Sequence, residues 1–157
     1  MTNAIAIALG SNLGDREANI QEAVKRLSSK GFKNIKLSSL FHSEPWDCPD
    51  DAPDYINAAF VAETDLAPED CLECCIATEE EMGRPRERAY HESRLIDIDL
   101  LLYNDMIMQS DNLIIPHPEI CNRDFVLIPL AEVAPNWQIP GYSTVNNCLR
   151  SLKDDQS

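Results

Sequence analysis

The stretch that most constrains the fold of this chain is the run 95–103, nine residues that are mostly branched and apolar. The run is too short to span a membrane, and its composition predicts a buried β-strand. Two acidic residues, Asp97 and Asp99, interrupt it. Because strand side chains alternate between faces, both carboxylates should lie on one face, roughly 7 Å apart. The opposite face should then carry the apolar residues Ile96, Ile98, Leu100 and Leu102.

The two carboxylates leave two interpretations open. Carboxylate oxygens are ligands of hard cations such as Mg²⁺, so the pair is typical of a metal site. Alternatively, Asp97 and Asp99 lie at a partly exposed strand end with arginine partners, because an unpaired buried carboxylate is costly. The strand alone does not distinguish the two, so the flanking sequence has to decide.

Length and charge exclude several classes of protein. The 157 residues predict a single domain, 1–157, with its own core. A net charge of −14 argues against a nucleic-acid partner, because binding a phosphate backbone needs a basic surface. No apolar run reaches the roughly 20 residues of a membrane span, and the first residues lack the pattern of a signal peptide. We therefore expect no membrane association and a cytoplasmic location.

The hydrophobic periodicities predict an alternating series of strands and helices. In order, they are strand 4–9, a helix ending near 29, strand 35–42, strand 55–64, helix 68–82, strand 95–103, a hairpin of 106–109 against 113–115, and a short helix 125–134. The first six give the βαββαβ order of ferredoxin-like α+β domains, which have a mainly antiparallel sheet. We expect the helices of this core on one face of the sheet and two long loops on the other.

The second of these loops, 84–94, is rich in arginine although the chain is acidic. Arg84, Arg86, Arg88 and Arg94 lie within eleven residues, directly before the aspartate strand. Arginine binds phosphate oxygens bidentately, and carboxylates hold the Mg²⁺ that accompanies phosphates. The loop and the strand together predict a phosphoryl-transfer site. The turn 10–15 does not supply a P-loop, because it lacks the lysine and the spacing of that motif.

Six short motifs, spread over most of the chain, resemble those of one enzyme family. They are Gly10-Ser11-Asn12-Leu13-Gly14-Asp15-Arg16, Pro53-Asp54-Tyr55-Ile56-Asn57-Ala58, Gly83-Arg84-Pro85-Arg86, Arg94-Leu95-Ile96-Asp97-Ile98-Asp99, Pro116-His117-Pro118, and Asn122-Arg123-Asp124-Phe125-Val126-Leu127 with Pro129-Leu130. In this order and spacing they are similar to the 6-hydroxymethyl-7,8-dihydropterin pyrophosphokinases of folate biosynthesis. The resemblance implies that the chain moves a diphosphate from ATP to the pterin hydroxymethyl group and releases AMP.

The resemblance also implies roles for individual residues. Asp97 and Asp99 would bind two Mg²⁺ ions at the ATP phosphates, with Arg84 and Arg94 as further catalytic residues. The other residues that contact ATP would be Glu79, Arg86, His117 and Arg123. The pterin pocket would consist of Tyr55, Asn57 and Phe125. The partners implied are the small molecules ATP and 6-hydroxymethyl-7,8-dihydropterin, and we expect a monomer.

The arginine-rich loop departs from the family pattern. The family commonly has an arginine followed by tryptophan, glycine and proline before the arginine that matches Arg94. This chain has Tyr90, His91, Glu92 and Ser93 there. Whether Tyr90 or His91 supplies a ring over the pterin stays open.

Two other functions remain as alternatives. A two-metal phosphohydrolase also uses paired aspartates and arginines, although it normally has more metal-binding carboxylates or histidines than this strand offers. A non-enzymatic ferredoxin-like binding module would explain the fold but would leave two aspartates in a buried strand without a role.

Overall fold

A five-stranded antiparallel sheet forms the centre of the part of the chain that the structure describes. The computed structural model describes residues 2–12, 14–43, 55–83 and 96–156. The strands of the sheet are β1 Asn3–Ser11, β2 Lys33–Leu37, β3 Phe41–Ser43, β4 Tyr55–Thr64 and β5 Asp97–Tyr103. They pair in the order β2–β4–β1–β5, with β3 also paired to β4.

Two helices, α1 (Arg16–Ser28) and α2 (Pro68–Glu81), connect the strands in the predicted order. α1 begins where the Asp15 carboxylate accepts the N–H of Ala18 at 3.1 Å, which satisfies one of the free donors of the first turn. α2 begins with proline, whose missing N–H costs nothing at this position. With β2 and β3 counted as one broken strand, the topology is βαββαβ, which confirms the predicted ferredoxin-like α+β fold.

The predicted strand 35–42 is wrong as a single element, because it breaks into β2 and β3. Leu37 lies opposite Phe60, and Phe41 lies opposite Asn57, so one extra residue separates the two pairings. Ser38 makes the break possible, since its hydroxyl oxygen accepts the N–H of Ala59 at 3.0 Å and takes the place of a backbone carbonyl.

The sheet packs against helices on both faces. On β1, the side chains of Ile5, Ile7 and Leu9 pack with buried residues of α1 and α2. Ala6 and Ala8 point to the opposite face, where they pack against α3 (Asp124–Val133) and α4 (Val145–Gln156). The expectation that the helices would leave this second face to the loops is therefore wrong. Its small alanine side chains allow further helices to pack closely on the sheet.

An irregularity in β5 changes which face its last residues occupy. Ile7 lies opposite Leu100, but Ala6 lies opposite Leu102, so Leu101 is an extra residue in the pairing. Leu101 and Leu102 both pack on the side of α3 and α4. The prediction that Leu102 shares a face with Ile96, Ile98 and Leu100 is therefore wrong, because simple alternation holds only as far as the bulge.

A short hairpin and one turn of 3₁₀ helix connect the sheet to α3. β6 Met108–Gln109 pairs with β7 Ile114–Ile115, which confirms the predicted hairpin in a shorter form. The 3₁₀ helix Ile120–Asn122 follows, and α3 agrees with the predicted helix 125–134 to within one residue at each end. None of the helices in the described ranges is long and apolar enough to cross a membrane.

Candidate active site

Pairing across three strands brings the candidate pterin residues and the aspartates onto one face of the sheet. Gly10 on β1 lies opposite Asn57 on β4 and opposite Asp97 on β5. Directly opposed residues of antiparallel strands point to the same face, so Asn57 and Asp97 share a face, roughly two strand spacings or 10 Å apart. Tyr55 and Asp99, each two residues along its strand, lie on that face too. We call Asn57, Gly10 and Asp97 the cross-strand row.

The cross-strand row lies on the same face of the sheet as α3 and α4. The residues that alternate with it, Ile56 and Ile98, are buried in the layer of α1 and α2. Asp97 and Asp99 therefore point away from that layer and share one face, as their spacing predicts. Both aspartates are half-buried, which leaves them accessible to a charged ligand while limiting their contact with water.

Asn57 is held in a fixed orientation by β3. Only 5% of its surface is exposed, and its side-chain Nδ2 donates a hydrogen bond to the carbonyl oxygen of Phe41 at 3.2 Å. Since the amide nitrogen points to β3, the amide oxygen points back over β1, towards Gly10. The hydrogen-bond acceptor of Asn57 thus lies over the middle of the cross-strand row.

The beginning of α3 carries two further residues with implied ligand contacts, Arg123 and Phe125. The guanidinium carbon of Arg123 lies 5.7 Å from the centre of the Phe125 ring, a cation–π contact. α3 is also bound to the linker between β2 and β3. There the Glu132 carboxylate accepts hydrogen bonds from the N–H and the hydroxyl of Ser39 at 3.0 and 2.6 Å. These bonds fix α3 relative to the strands that carry Tyr55 and Asn57.

His117 lies near enough to Asp99 and Arg123 for both charges to act on its imidazole. Its backbone N–H donates to the carbonyl oxygen of Leu101 at 3.0 Å, which attaches it to β5. Its Nδ1 accepts the N–H of Glu119 at 3.1 Å, so Nε2 is the nitrogen that carries hydrogen. Burial lowers the pKa of His117; the Asp99 charge opposes this shift, and that of Arg123 adds to it. The imidazole is therefore uncharged at neutral pH and presents an Nε2–H donor.

Glu79 makes a hydrogen bond to β5, the strand that carries Asp97 and Asp99. Its Oε2 accepts the backbone N–H of Ile98, the residue between Asp97 and Asp99, at 2.8 Å. β5 is the last strand in the pairing order, so this N–H lies along its outer edge. The contact links the last turns of α2 to the backbone that carries the two carboxylates.

Several predicted site residues lie outside the described residues. These are Arg84, Arg86 and Arg94, together with Arg88 and residues 90–93 of the same loop. Their roles stay predictions. In the described ranges, no cluster of three or more His, Cys, Asp or Glu side chains is arranged to hold a metal ion. Two carboxylates on one strand face suit Mg²⁺, which is usually bound by one or two carboxylates with phosphate and water as further ligands.

One residue of this site was not singled out in the sequence analysis. In the sequence, Gly10 is part of a turn and a motif; in the structure, it occupies the centre of the cross-strand row. The available signal was a glycine at the end of an apolar strand, which often marks a close approach of another group.

Comparison with known proteins supports the resemblance to the pyrophosphokinase family that the six sequence motifs indicate. The sequence model of the family described as 7,8-dihydro-6-hydroxymethylpterin-pyrophosphokinase matches residues 6–135. A 2-amino-4-hydroxy-6-hydroxymethyldihydropteridine pyrophosphokinase from Methylorubrum extorquens is 39% identical over 153 residues, covering 97% of this chain and 94% of the relative. The protein of the same name from Haemophilus influenzae is 36% identical over 148 residues, covering 94% and 92%.

Solved structures agree with the fold. A crystal structure of HPPK–DHPS in complex with substrates matches with a TM-score of 0.74 at 12% identity, over 98% of this chain and 44% of that one. Wild-type HPPK–DHPS from Plasmodium falciparum matches with a TM-score of 0.75 at 16% identity, over 99% and 46%. This chain thus spans less than half of each of those two. Given the family match and the two relatives, the chain belongs to the 7,8-dihydro-6-hydroxymethylpterin-pyrophosphokinase family and is a diphosphokinase of folate biosynthesis.

Proposed function

We propose that the face carrying the cross-strand row is where this diphosphokinase joins its two substrates. The pterin would lie at Tyr55, Asn57 and Phe125, and the ATP phosphates would lie at Asp97 and Asp99. The observation that carries the proposal is the register that places Asn57 and Asp97 on one face with only Gly10 between them. A pterin bound at Asn57 would direct its hydroxymethyl oxygen along the row towards the β-phosphorus of ATP, and AMP would leave.

The two aspartates are better suited to Mg²⁺ than to a metal ion whose ligands are all protein side chains. They offer carboxylate oxygens from two positions on one strand, and the described residues add no third acidic, histidine or cysteine ligand. Mg²⁺ is usually bound by one or two carboxylates, with substrate phosphates and water as the other ligands. When bound, it neutralises phosphate charge and polarises a phosphoryl oxygen. We propose that Asp97 and Asp99 hold two such ions.

The pterin pocket would combine stacking with one oriented amide. Tyr55 is the first residue of β4, and Phe125 is the second residue of α3, the helix that packs over the same face. A flat heterocycle between two aromatic rings gains dispersion and removes apolar surface from water. The orientation of Asn57 leaves its amide oxygen as the acceptor for N–H groups of the heterocycle. The amide oxygen would recognise the hydrogen-bond donors of the pterin, and the two aromatic side chains would recognise its flat shape.

The nucleotide would be bound by groups of different charge around the aspartates. Arg123 supplies a permanent positive charge and His117 a neutral donor, while Arg84, Arg86 and Arg94 would approach from the loop 84–94. Arginine stabilises the charge that develops on phosphate oxygens during transfer. Because Arg123 also stacks on Phe125, the phosphate-binding and pterin-binding groups are in direct contact at the start of α3.

The reaction is tested by its nucleotide product. With ATP, Mg²⁺ and 6-hydroxymethyl-7,8-dihydropterin, we expect one AMP for each pterin diphosphate formed, separated by ion-exchange chromatography. Omitting the pterin should abolish AMP formation. Release of ADP and free phosphate in the absence of pterin would instead indicate a phosphohydrolase.

The hydrogen bond from Ile98 to Glu79 predicts a difference between two substitutions. Glu79→Ala removes the acceptor and should lower the apparent Mg²⁺ affinity or kcat by about 10- to 100-fold, the usual effect of losing a group that orients a metal ligand. Glu79→Gln keeps an acceptor oxygen and should retain most of both. Titrating the initial rate with Mg²⁺ measures the difference.

A matched control and a contrary outcome are available for this prediction. Glu69→Ala, on the exposed surface of the first turn of α2, should leave the titration unchanged. If Glu79→Ala and Glu79→Gln lose activity equally through a higher ATP KM, the carboxylate contacts the nucleotide and does not act by orienting β5.

Three further properties are proposed from the sequence alone. They are a single domain over 1–157, a monomeric state and a cytoplasmic location. Size-exclusion chromatography with light scattering checks the second, with a mass near 17.6 kDa expected for a monomer.

A further inference from the structure

We propose that Gly10 is a positioning residue of the pterin pocket, because its missing side chain sets the places of Asn57 and Tyr55. The inference rests on the proposed function, in which these two residues contact the pterin. It concerns a residue that lies against Asn57 and Tyr55, and it predicts a loss confined to one substrate.

The space above Gly10 is filled by those two side chains. A Cβ built on Gly10 would lie 3.3 Å from the amide oxygen of Asn57, and 3.6 and 3.9 Å from Cδ1 and Cε1 of the Tyr55 ring. The last two distances are ordinary contacts, but the first is shorter than most contacts of a Cβ, so its neighbour must move by a few tenths of an ångström. An added methyl group would therefore push first on the amide oxygen.

Asn57 has little freedom to move away. Its Nδ2 is hydrogen-bonded to Phe41 on one side, and 95% of its surface is covered by neighbouring groups. A shift of the amide by a few tenths of an ångström would either lengthen the bond to Phe41 or turn the acceptor oxygen away from the row. The Tyr55 ring is the next group in contact, so its plane would shift with the amide.

The backbone gives no other reason for glycine at this position. Gly14, Gly31, Gly83 and Gly141 have positive φ angles of 64, 116, 103 and 83°, which disfavour any other residue, but Gly10 is not among them. Gly10 lies in regular β1, and Ala8, two residues earlier on the same face, carries a Cβ. Alanine at position 10 would therefore be tolerated by the strand and would test the space alone.

The expected result for Gly10→Ala is a selective loss of pterin binding. Displacements well under 1 Å in an oriented site should raise the pterin Kd and KM by roughly tenfold. The Kd for ATP with Mg²⁺ and the thermal unfolding midpoint should stay close to those of the parent. Calorimetric titrations with each substrate separately, together with steady-state kinetics, measure these quantities.

A double-mutant cycle with Asn57→Ala identifies the path of the effect. If the methyl group acts by displacing the Asn57 amide, Gly10→Ala should weaken pterin binding much less when Asn57 is already alanine. Should Gly10→Ala fail to fold, the double variant should fold again, because the amide in close contact with the added methyl group is gone.

The possible outcomes separate this inference from the proposed function. If Asn57→Ala leaves pterin binding unchanged, the proposed pocket is wrong. If Asn57→Ala weakens binding and Gly10→Ala does not, the pocket stands and the role of Gly10 is refuted. Fully additive effects, or a double variant that stays unfolded, would likewise refute it. A smaller effect of Gly10→Ala in the Asn57→Ala background supports it.

Discussion

Replacing either Asp97 or Asp99 with asparagine is expected to lower kcat by about 10³-fold or more while leaving the fold intact. Asparagine keeps the size of the side chain but removes the negative charge that makes the carboxylate a Mg²⁺ ligand. Lewis-acid stabilisation by a metal is worth several kcal/mol, and about 4 kcal/mol corresponds to this change in rate. Both residues are half-buried near the first residue of β5 and point away from the layer of α1 and α2, so the core should not be disturbed.

Single-turnover measurements at saturating ATP and pterin, over a range of Mg²⁺ concentrations, provide the test. Asp105→Asn is a matched control, since Asp105 is exposed in the turn after β5 and should behave like the parent. A near-normal rate for Asp97→Asn or Asp99→Asn at ordinary Mg²⁺ would contradict the two-metal assignment. It would favour the other interpretation, in which the aspartates are structural partners of arginine.

The second large effect is expected for Asn57→Ala. Loss of this amide removes the oriented acceptor and leaves a donor of the bound pterin without a partner. A buried unsatisfied group costs about 1–3 kcal/mol, so the pterin KM should rise by up to roughly 100-fold. ATP binding should change little, because the ATP phosphates are proposed to lie two strands away.

Separate determination of the two KM values and of kcat distinguishes these expectations. Asn146→Ala, on the exposed side of α4, is the matched control for a change from asparagine to alanine. Equal losses of affinity for ATP and pterin would show that Asn57 supports the fold of the whole site and does not contact the pterin specifically.

The fold could be predicted as far as local patterns determine it. The order of the core elements and the placement of Asp97 and Asp99 on one face follow from periodicity alone. The C-terminal helix was missed, although Val145, Cys148 and Leu149 have the spacing of a buried helical stripe. Two adjacent asparagines in its first turn, Asn146 and Asn147, are poor helix formers and obscure this pattern.

The site could be predicted in its residues but not in its arrangement. The motifs identify Asn57, Asp97 and Gly10 separately, whereas their alignment depends on the pairing of three strands far apart in sequence. The bond between Glu79 and Ile98 likewise depends on how α2 packs against an edge strand. Such long-range registers are set by the whole core and leave no local signal.

The extra residue at Leu101 has a consequence for how this chain can change in length. Before the bulge, the face shared with α3 and α4 carries two aspartates, and after it the same face carries Leu101 and Leu102. Deleting one residue there would move one of the two pairs to the opposite face of the sheet. Either Leu101 and Leu102 would leave the core on the side of α3 and α4, or Asp97 and Asp99 would point towards α1 and α2. Insertions and deletions between 99 and 103 should therefore be tolerated far less than substitutions, because the spacing keeps the two aspartates and the two leucines on the same face.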